Sequence, residues 1–272
     1  MASRAAPVAS VRDALAAAED SLRAAGCDTP RLDAELLLAH ALGVSRESLF
    51  LEPGSGVPPA AARRAMELVR RRVAREPVAY ILGVKGFRHI DLAVDRRVLI
   101  PRPETELLVE LALPLPAGAR VHDVGTGSGA IALALEQERP DLEVSASDAV
   151  PGAVAVARAN AARLGLDVRV EEATGLPGGA FDLVLANLPY VREDEWAGLA
   201  PEITRWEPRE ALVSGADGLD AIRSLAASAP SGTLLALEHA PAQAAAVREL
   251  LREAHSHHDL AGRERTTVGR AP

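Results

Sequence analysis

Apolar side chains recur at the spacing of an α-helix from the N-terminus to about residue 85. A first helix is predicted over 10–26, with Ser10 as its N-cap and a glycine at its end. Two further helices are predicted over 30–43 and 58–75, each beginning at a proline, which is tolerated in the first helical turn. We therefore predict a helical N-terminal domain over residues 1–85.

The third predicted helix is rich in arginine. Long arginine side chains on a helix usually stay solvated while their stems cover apolar surface, and this is the interpretation that we favour. A binding surface is the alternative. The arginines are Arg63, Arg64, Arg70, Arg71, Arg72 and Arg75.

Short β-like stretches follow the helical part. Residues 90–94 and 98–100 are predicted strands, and the charged segment 95–97 is a predicted turn between them. This pattern predicts a β-hairpin linker over 86–102. Prolines at 101 and 103 fix the backbone where the linker ends.

From Gly118 onwards, predicted strands and helices alternate. Several strands are short and uniformly apolar, which is typical of a sheet covered by helices on both faces. The sequence therefore predicts an α/β domain over 103–272. Its predicted strands are 120–124, 142–146, 167–170, 181–186, 233–238 and 265–268. Its predicted helices are 130–138, 153–164, 219–227 and 242–254.

Charge and cysteine content exclude several classes of function. The 272 residues include 38 acidic and 30 basic side chains, so diffuse attraction to nucleic acid or anionic membrane is not expected to drive binding. A single cysteine, Cys27, excludes an intrachain disulfide and a thiolate zinc cage. No apolar run of about 18 residues occurs, and we expect a cytoplasmic protein.

A glycine-rich turn between a predicted strand and a predicted helix is the most informative segment. Gly125, Gly127 and Gly129 let a ligand approach main-chain atoms where a Cβ would collide. A dinucleotide-binding turn would carry glycine or alanine at the position of Ala130, so this spacing discriminates only moderately against a dinucleotide. A purely structural turn is the alternative.

An acidic residue follows the next predicted strand. Asp148 is placed to accept hydrogen bonds from both hydroxyls of a ribose, which nicotinamide dinucleotides and S-adenosylmethionine both present. An N-cap for the following helix is the alternative role. The turn and the acid together predict a nucleoside, without selecting a reaction.

A polar and aromatic tetrapeptide follows the apolar strand 181–186. Its position at the end of a central strand predicts that it faces the nucleoside. The Asn187 side-chain oxygen and the Leu188 carbonyl can each accept one N–H of a planar –NH₂ group, with the Tyr190 ring against that plane. Such a clamp would orient a poorly nucleophilic nitrogen for attack. An Asx-type turn is the alternative.

Several segments, taken together, resemble the peptide chain release factor N5-glutamine methyltransferase family, also called HemK or PrmC. The resemblance covers nearly the whole chain, and the junction segment is far more specific to this family than the glycine turn. The segments are 32–38, 75–83, 99–106, 125–129, 187–190 and 205–208.

The resemblance implies a small N-terminal helical domain that recognises the substrate and a class I S-adenosylmethionine-dependent methyltransferase domain with a seven-stranded Rossmann-like sheet. It implies a methyl transfer to the glutamine of the Gly-Gly-Gln motif of class 1 release factors, without a metal. The implied S-adenosylmethionine site is Gly125, Thr126, Gly127, Ser128, Gly129, Asp148 and Asn187. The implied catalytic and substrate-binding residues are Asn187, Leu188, Pro189 and Tyr190.

Two positions depart from the family pattern. The family usually has Asn-Pro-Pro-Tyr, and this chain has Leu188 at the second position. Leucine keeps the main-chain carbonyl but lacks the rigidity of proline, so we expect slower turnover. Many members also have an acidic–aromatic pair that contacts adenine, whereas residues 171–175 contain no aromatic side chain and leave that contact unassigned.

Two alternative functions follow from these features. The Asn-Leu-Pro-Tyr spelling resembles enzymes that methylate N6 of adenine in RNA or DNA, although the net charge of -8 argues against a nucleic-acid substrate. A non-catalytic adaptor could instead bind a release factor or the ribosome through the arginines of the third helix. We expect class 1 release factors as partners, a monomer, and no membrane or nucleic-acid partner.

Three histidines follow the last long predicted helix. A metal site would need a cysteine or an acid to complete the ligand set, so we expect a polar helix end instead. The histidines are His255, His257 and His258.

Overall fold

A computed structural model describes residues 9–272 of the chain. The chain divides into two units after Gly83. Within residues 9–272, no helix has the length and apolar character needed to cross a membrane.

The described part of the first unit is helical. Ser10 caps the first helix as predicted, since its hydroxyl accepts the Asp13 N–H and the Asp13 carboxylate accepts the Ser10 N–H. Leu15, Leu22 and Leu38 lie in the apolar core of this unit. The helices are α1 (Val11–Ala24), α2 (Pro30–Leu42), α3 (Ser48–Leu51), α4 (Pro59–Val73) and α5 (Val78–Leu82).

Three arginines in and just after α4 bind groups within the first unit. Arg72 is buried and its Nε lies 2.7 Å from Oδ2 of the buried Asp33. Arg71 donates to both carboxylate oxygens of Glu76, and Arg75 donates to main-chain carbonyls. The prediction of a solvated face is therefore wrong for Arg72, because an aspartate compensates its burial. The exposed arginines of α4 are Arg63, Arg64 and Arg70.

The second unit begins with a β-hairpin. Strand β1 (Val84–Phe87) pairs antiparallel with β2 (Ile90–Ala93), and Arg88 turns the chain at a φ of 48°. The prediction that residues 98–100 form the second strand is wrong, because the partner of β2 precedes it. The role of residues 86–102 as a linker stays a prediction.

Seven strands form the central sheet of the second unit, in the order β5-β4-β3-β6-β7-β9-β8. All neighbours are parallel except β9, which is antiparallel to both β7 and β8. The predicted seven-stranded α/β sheet is confirmed. The strands are β3 (Arg120–Val124), β4 (Glu143–Asp148), β5 (Arg169–Glu172), β6 (Leu183–Ala186), β7 (Leu234–Glu238), β8 (Arg252–His258) and β9 (Glu264–Arg270).

The last helix of the second unit is shorter than predicted. Of the helix predicted over 242–254, residues Ala244–Glu249 are confirmed. Its C-terminal part and the polar helix end are wrong, because residues 252–258 form strand β8, where His255 lies opposite Val268 of β9. Among residues 9–272, no group of three or more His, Cys, Asp or Glu side chains is arranged to hold a metal ion. The helices are α6 (Glu106–Ala112), α7 (Ala130–Glu138), α8 (Pro151–Leu164), α9 (Pro201–Trp206), α10 (Asp220–Ser228) and α11 (Ala244–Glu249).

The order of the strands reverses between β3 and β6. The chain runs outwards from β3 to β5 on one side, and from β6 to β7 on the other. In open α/β sheets, ligands bind beyond the carboxyl ends of the strands at such a switch point. The segments 125–129 and 187–190, which follow β3 and β6, are therefore placed at the expected binding position.

Candidate active site

A cavity of about 310 Å³ lies at the switch point of the sheet. It is lined from the β3 side by Gly125 and Gly127, and from the β4 side by Asp148. Asn187 and Leu188 line it from the β6 side. The structure thus brings residues of all three predicted motifs to one cavity.

Gly125 and Gly127 meet different requirements in the turn. Both have positive φ angles, of 74° and 57°, which favour glycine. A Cβ on Gly125 would lie 2.9 Å from Cδ2 of Leu188, whereas no atom lies within 4 Å of the Cβ position of Gly127. A side chain at position 125 would therefore push the end of the Leu188 side chain aside, whereas Gly127 leaves open space beside the cavity.

The other predicted residues of the turn hold its shape. Thr126 is buried and its hydroxyl donates to Asp123 Oδ2 at 2.6 Å. The main-chain carbonyl of Ser128 accepts from the side chain of Asn160, and a Cβ on Gly129 would collide with Leu133. The structure places these side chains behind the cavity lining.

Asp123 is a buried acid that the sequence analysis did not single out. Burial raises the pKa of its carboxyl to about 7, against the opposing effect of the Thr126 hydrogen bond. The nearby charge of Asp148 raises that pKa further. Asp123 therefore supports the turn through its hydrogen bond with Thr126, although its burial disfavours the charged carboxylate.

The carboxylate of Asp148 binds two main-chain groups. Its Oδ2 accepts the Gly127 N–H and its Oδ1 accepts the Val150 N–H, each at 2.9 Å. The Asp148 side chain thus fixes both the glycine turn and the start of α8. Because a carboxylate oxygen can accept more than one hydrogen bond, Asp148 still has acceptor capacity on the cavity side.

The side chain of Asn187 has a defined orientation. Its Nδ2 donates to Oγ1 of Thr105 at 2.9 Å. Asn187 Oδ1 has no hydrogen-bond partner within residues 9–272, and the residue lines the cavity. An acceptor oxygen is therefore available beside the glycine turn.

A second, smaller cavity of about 30 Å³ adjoins the first. Asn187 and Leu188 line both cavities, while Arg102 and Tyr190 line only the smaller one. Leu99 and Ala211 also line both cavities. At about 30 Å³, the smaller cavity has room for only about one or two water molecules, so it is a recess beside Asn187 and not a site for a second whole molecule.

Tyr190 is held at both its side chain and its main chain. Its hydroxyl donates to Glu238 Oε1 at 3.2 Å, and its carbonyl accepts from Gln243 Nε2 at 2.9 Å. The same Gln243 nitrogen also donates to the carbonyl of Asp217. A Cβ on Gly218 would collide with the Tyr190 carbonyl oxygen, so this segment is packed closely against its neighbours.

Comparison with known proteins identifies the family. Residues 13–83 match the PrmC N-terminal domain, and residues 103–208 match the methyltransferase small domain. A release factor glutamine methyltransferase of Deinococcus radiodurans is 42% identical over 269 residues, which cover 94% of this chain and 96% of that protein. The protein of the same name from Pseudomonas aeruginosa is 47% identical over 259 residues, covering 89% and 94%.

The chain belongs to the release factor glutamine methyltransferase family. The resemblance stated from the sequence is thereby confirmed. The chain is a methyltransferase. The glycine turn therefore does not indicate a nicotinamide dinucleotide-dependent enzyme.

Two sequence segments that carried the resemblance to this methyltransferase family meet in the structure. Arg102 Nη2 lies 2.5 Å from Glu207 Oε1, and Glu207 Oε2 accepts the Ile100 N–H at 3.1 Å. The Arg96 guanidinium lies over the Trp206 ring, with its Cζ 4.0 Å from the centre of that ring. The 205–208 segment therefore anchors the junction whose Arg102 lines the smaller cavity.

Glu238 is the second buried acid that the sequence analysis missed. It ends strand β7, and burial raises the pKa of its carboxyl to about 7. Hydrogen bonding from Thr105 and Tyr190 opposes that rise in pKa. The sequence analysis named the junction segment 99–106, which contains Thr105, but it singled out neither Thr105 nor Glu238.

The wall contributed by residues 171–175 has no aromatic side chain. Ala173 and Gly175 line the larger cavity there, so this segment offers the cavity no aromatic ring.

Proposed function

We propose that this protein transfers a methyl group from S-adenosylmethionine to the side-chain amide nitrogen, N5, of the glutamine in the Gly-Gly-Gln motif of class 1 release factors. The observation that carries it is that Asn187, whose Oδ1 has no hydrogen-bond partner within residues 9–272, lines the larger cavity at the switch point of the sheet and also the small recess beside it. The relatives' name, release factor glutamine methyltransferase, supports the substrate.

The larger cavity fits S-adenosylmethionine. Open space above Gly127 admits a ligand close to the main chain, and the Asp148 carboxylate can accept from ribose hydroxyls. Bound there, S-adenosylmethionine supplies an electrophilic methyl group. Gly125, Thr126, Ser128 and Gly129 contribute by shaping the turn that holds it.

Asn187 and Leu188 orient the glutamine. The Asn187 Oδ1 and the Leu188 carbonyl each accept one N–H of the amide, and the Tyr190 ring flanks its plane. An amide nitrogen is a poor nucleophile because its lone pair is delocalised, so fixing both N–H groups favours attack in the required direction. The amide nitrogen would form a C–N bond to the methyl group as the bond between that methyl group and sulfur breaks, and the nitrogen would release one proton to solvent.

We propose that the first unit recognises the release factor and that the protein acts in the cytoplasm. An adaptor that binds through the arginines of α4 is less well supported, because Arg71, Arg72 and Arg75 bind groups within their own unit. The same contacts weaken the case for an RNA or DNA substrate.

Mass spectrometry of a class 1 release factor incubated with the protein and S-adenosylmethionine tests the proposal. We expect one added methyl on the peptide that contains Gly-Gly-Gln. The inactive control is Asn187→Ala, which removes an acceptor for the amide and should lower turnover by a factor of about 100 or more. Methylation of RNA, or of no substrate, would overturn the proposal.

A further inference from the structure

The larger cavity lacks the aromatic side chains that commonly cover a flat base. Among residues 9–272, those that line it include no phenylalanine, tyrosine, tryptophan or histidine. Arg97 is the only arginine or lysine among these lining residues. A guanidinium group is planar and stacks on aromatic rings, so Arg97 can take the place of an aromatic side chain against a base.

The expected place of the base follows from the order of the groups in S-adenosylmethionine. In the proposed function, the sulfur that carries the methyl group faces Asn187, and the ribose lies at Asp148. Sulfur and adenine are joined to opposite ends of the ribose, so the adenine would extend past Asp148 to the part of the cavity lined by Val150 and Ala173. These two residues follow β4 and β5, which lie on the side of β3 away from β6.

Arg97 lies at that end of the cavity. A Cβ on Gly152, in the first turn of α8, would lie 3.5 Å from Arg97 Cδ, so the aliphatic stem of Arg97 packs along this turn. Val150 immediately precedes α8 and is 37% exposed although its side chain is apolar. A guanidinium group and an exposed apolar side chain therefore lie together where the base is expected.

The guanidinium plane of Arg97 is held by Asp95. Arg97 Nε donates to Asp95 Oδ1 at 2.9 Å, and Nη2 donates to Oδ2 at 2.6 Å, which is the fork geometry of a paired arginine and carboxylate. This ion pair also offsets the charge of Arg97, which matters because S-adenosylmethionine carries a net positive charge. Arg97 can thus present a flat face without strong repulsion of the cofactor.

We propose that Arg97 is a binding residue for the adenine of S-adenosylmethionine and covers one face of the base with its guanidinium plane. The inference deepens the proposed function, on which it rests for the identity of the cofactor. Because the stem packs on Gly152 and the guanidinium is paired with Asp95, little side-chain freedom is lost when the base binds.

Two variants separate the guanidinium plane from its charge. Arg97→Ala removes both, and we expect calorimetry to give a Kd for S-adenosylmethionine about 5–10-fold weaker than in wild type. Arg97→Lys keeps the charge and loses the plane, so its Kd should be weaker by about threefold or more. Full affinity in Arg97→Lys would assign the effect to charge and overturn the inference.

Arg192→Ala is the matched control. Arg192 is exposed and pairs with Asp194 through the same two guanidinium nitrogens, two residues away along the chain, but it does not line the larger cavity. Its loss removes the same charge, and the Kd should stay within about twofold of wild type. An equal loss of affinity in Arg192→Ala and Arg97→Ala would overturn the inference.

A ligand without a base tests where Arg97 acts. S-Adenosylhomocysteine has the adenine and S-ribosylhomocysteine lacks it, while both have the ribose and the amino-acid part. We expect Arg97→Ala to weaken binding of the first ligand by about 5–10-fold and of the second by less than about twofold. Equal losses for the two ligands would overturn the inference, as would an unchanged Kd for S-adenosylhomocysteine.

A spectroscopic measurement reports the contact in the wild-type protein. In protein labelled with ¹⁵N-arginine, the Nε–H signal of Arg97 is the one that disappears in Arg97→Lys. An aromatic ring shields protons that lie against its face, so we expect this signal to move upfield with S-adenosylhomocysteine and to stay in place with S-ribosylhomocysteine. An unmoved signal with S-adenosylhomocysteine would overturn the inference independently of the affinity of any variant.

The inference and the proposed function fail in distinguishable ways. If wild-type protein and Arg97→Ala bind S-adenosylmethionine equally well, only the role of Arg97 is wrong. If Arg97→Ala shows the expected loss but wild-type protein methylates no release factor, the role of Arg97 stands and the proposed substrate is wrong. If wild-type protein binds no S-adenosylmethionine, both proposals are wrong.

Discussion

The Asp148 Oδ2 accepts the Gly127 N–H at 2.9 Å and so links the ends of two neighbouring strands. Asp148 ends β4, and Gly127 lies in the turn after β3. The glycine turn is therefore held in its bent form by the residue that is also proposed to bind the ribose. One carboxylate thus shapes the cavity and would also supply the proposed ribose-binding group.

Replacing Asp148 should affect cofactor affinity more than turnover. In Asp148→Asn, the side chain can no longer accept two main-chain N–H groups and a ribose hydroxyl together. We expect calorimetry to show a Kd for S-adenosylmethionine about 10–100-fold weaker, with kcat at saturating cofactor changed only a few fold. Glu172→Gln, at the exposed end of β5, is the control and should bind normally. Equal loss in both variants would contradict the assigned role.

Gly127→Ala and Gly118→Ala form a matched pair. Both glycines have positive φ, 57° and 78°, and neither has an atom within 4 Å of its Cβ position. Each substitution should cost about 1 kcal/mol of unfolding free energy through backbone strain. Only Gly127 lines the cavity, so only Gly127→Ala should weaken S-adenosylmethionine binding, by about tenfold or more. A similar loss of affinity in Gly118→Ala would show that backbone strain, and not the cavity, is responsible.

Leu188→Pro should raise turnover. The main-chain N–H of Leu188 donates to no other described residue, so proline removes no hydrogen bond. The added rigidity should fix the carbonyl that accepts from the glutamine, and we expect kcat to rise about two- to fivefold. Leu188→Ala is the control, because it removes the side chain beside Gly125 without stiffening the backbone. Equal gains in Leu188→Pro and Leu188→Ala would attribute the effect to the lost side chain.

Stability should fall as pH rises towards neutrality. Burial raises the pKa of Asp123 and of Glu238 to about 7, above their ordinary values of 3.8 and 4.5. The folded state therefore holds protons that the unfolded state has already released, and unfolding free energy is lost between about pH 4 and pH 7. Asp123→Asn removes one of these groups and should reduce the loss of unfolding free energy between low and high pH by roughly 2–4 kcal/mol. Denaturant titrations at pH 5 and pH 8 measure the unfolding free energy at each pH. If the difference between the two values were the same in Asp123→Asn as in the wild type, the raised pKa of Asp123 would be contradicted.

Much of the fold and part of the site follow from local sequence. The predicted helix over 130–138 coincides with α7, and the apolar runs gave the central strands of the sheet. Strand β8 was missed because it is an edge strand whose polar histidines lack an apolar pattern. The glycine turn and Asn187 were singled out because each follows directly on a predicted apolar strand, and Asp148 was singled out because it lies at the tip of the strand between them in the chain.

The supporting residues of the site were missed for a different reason. Glu238 looks like an ordinary charged residue at the end of an apolar strand, and its partners Thr105 and Tyr190 lie far away along the chain. Periodicity describes neighbours within one element and carries no information on such contacts. The buried acid could be recognised only after the sheet had brought the three residues together.

The Gln243 side chain, bonded to the carbonyls of Tyr190 and Asp217, has an evolutionary consequence. A residue at position 243 that cannot donate both hydrogen bonds would release the segment that carries Tyr190. A Cβ at position 218 would collide with the Tyr190 carbonyl oxygen and with Gln243 Nε2. We therefore expect positions 190, 218 and 243 to be inherited together, although only the first of them carries a residue proposed to contact the substrate.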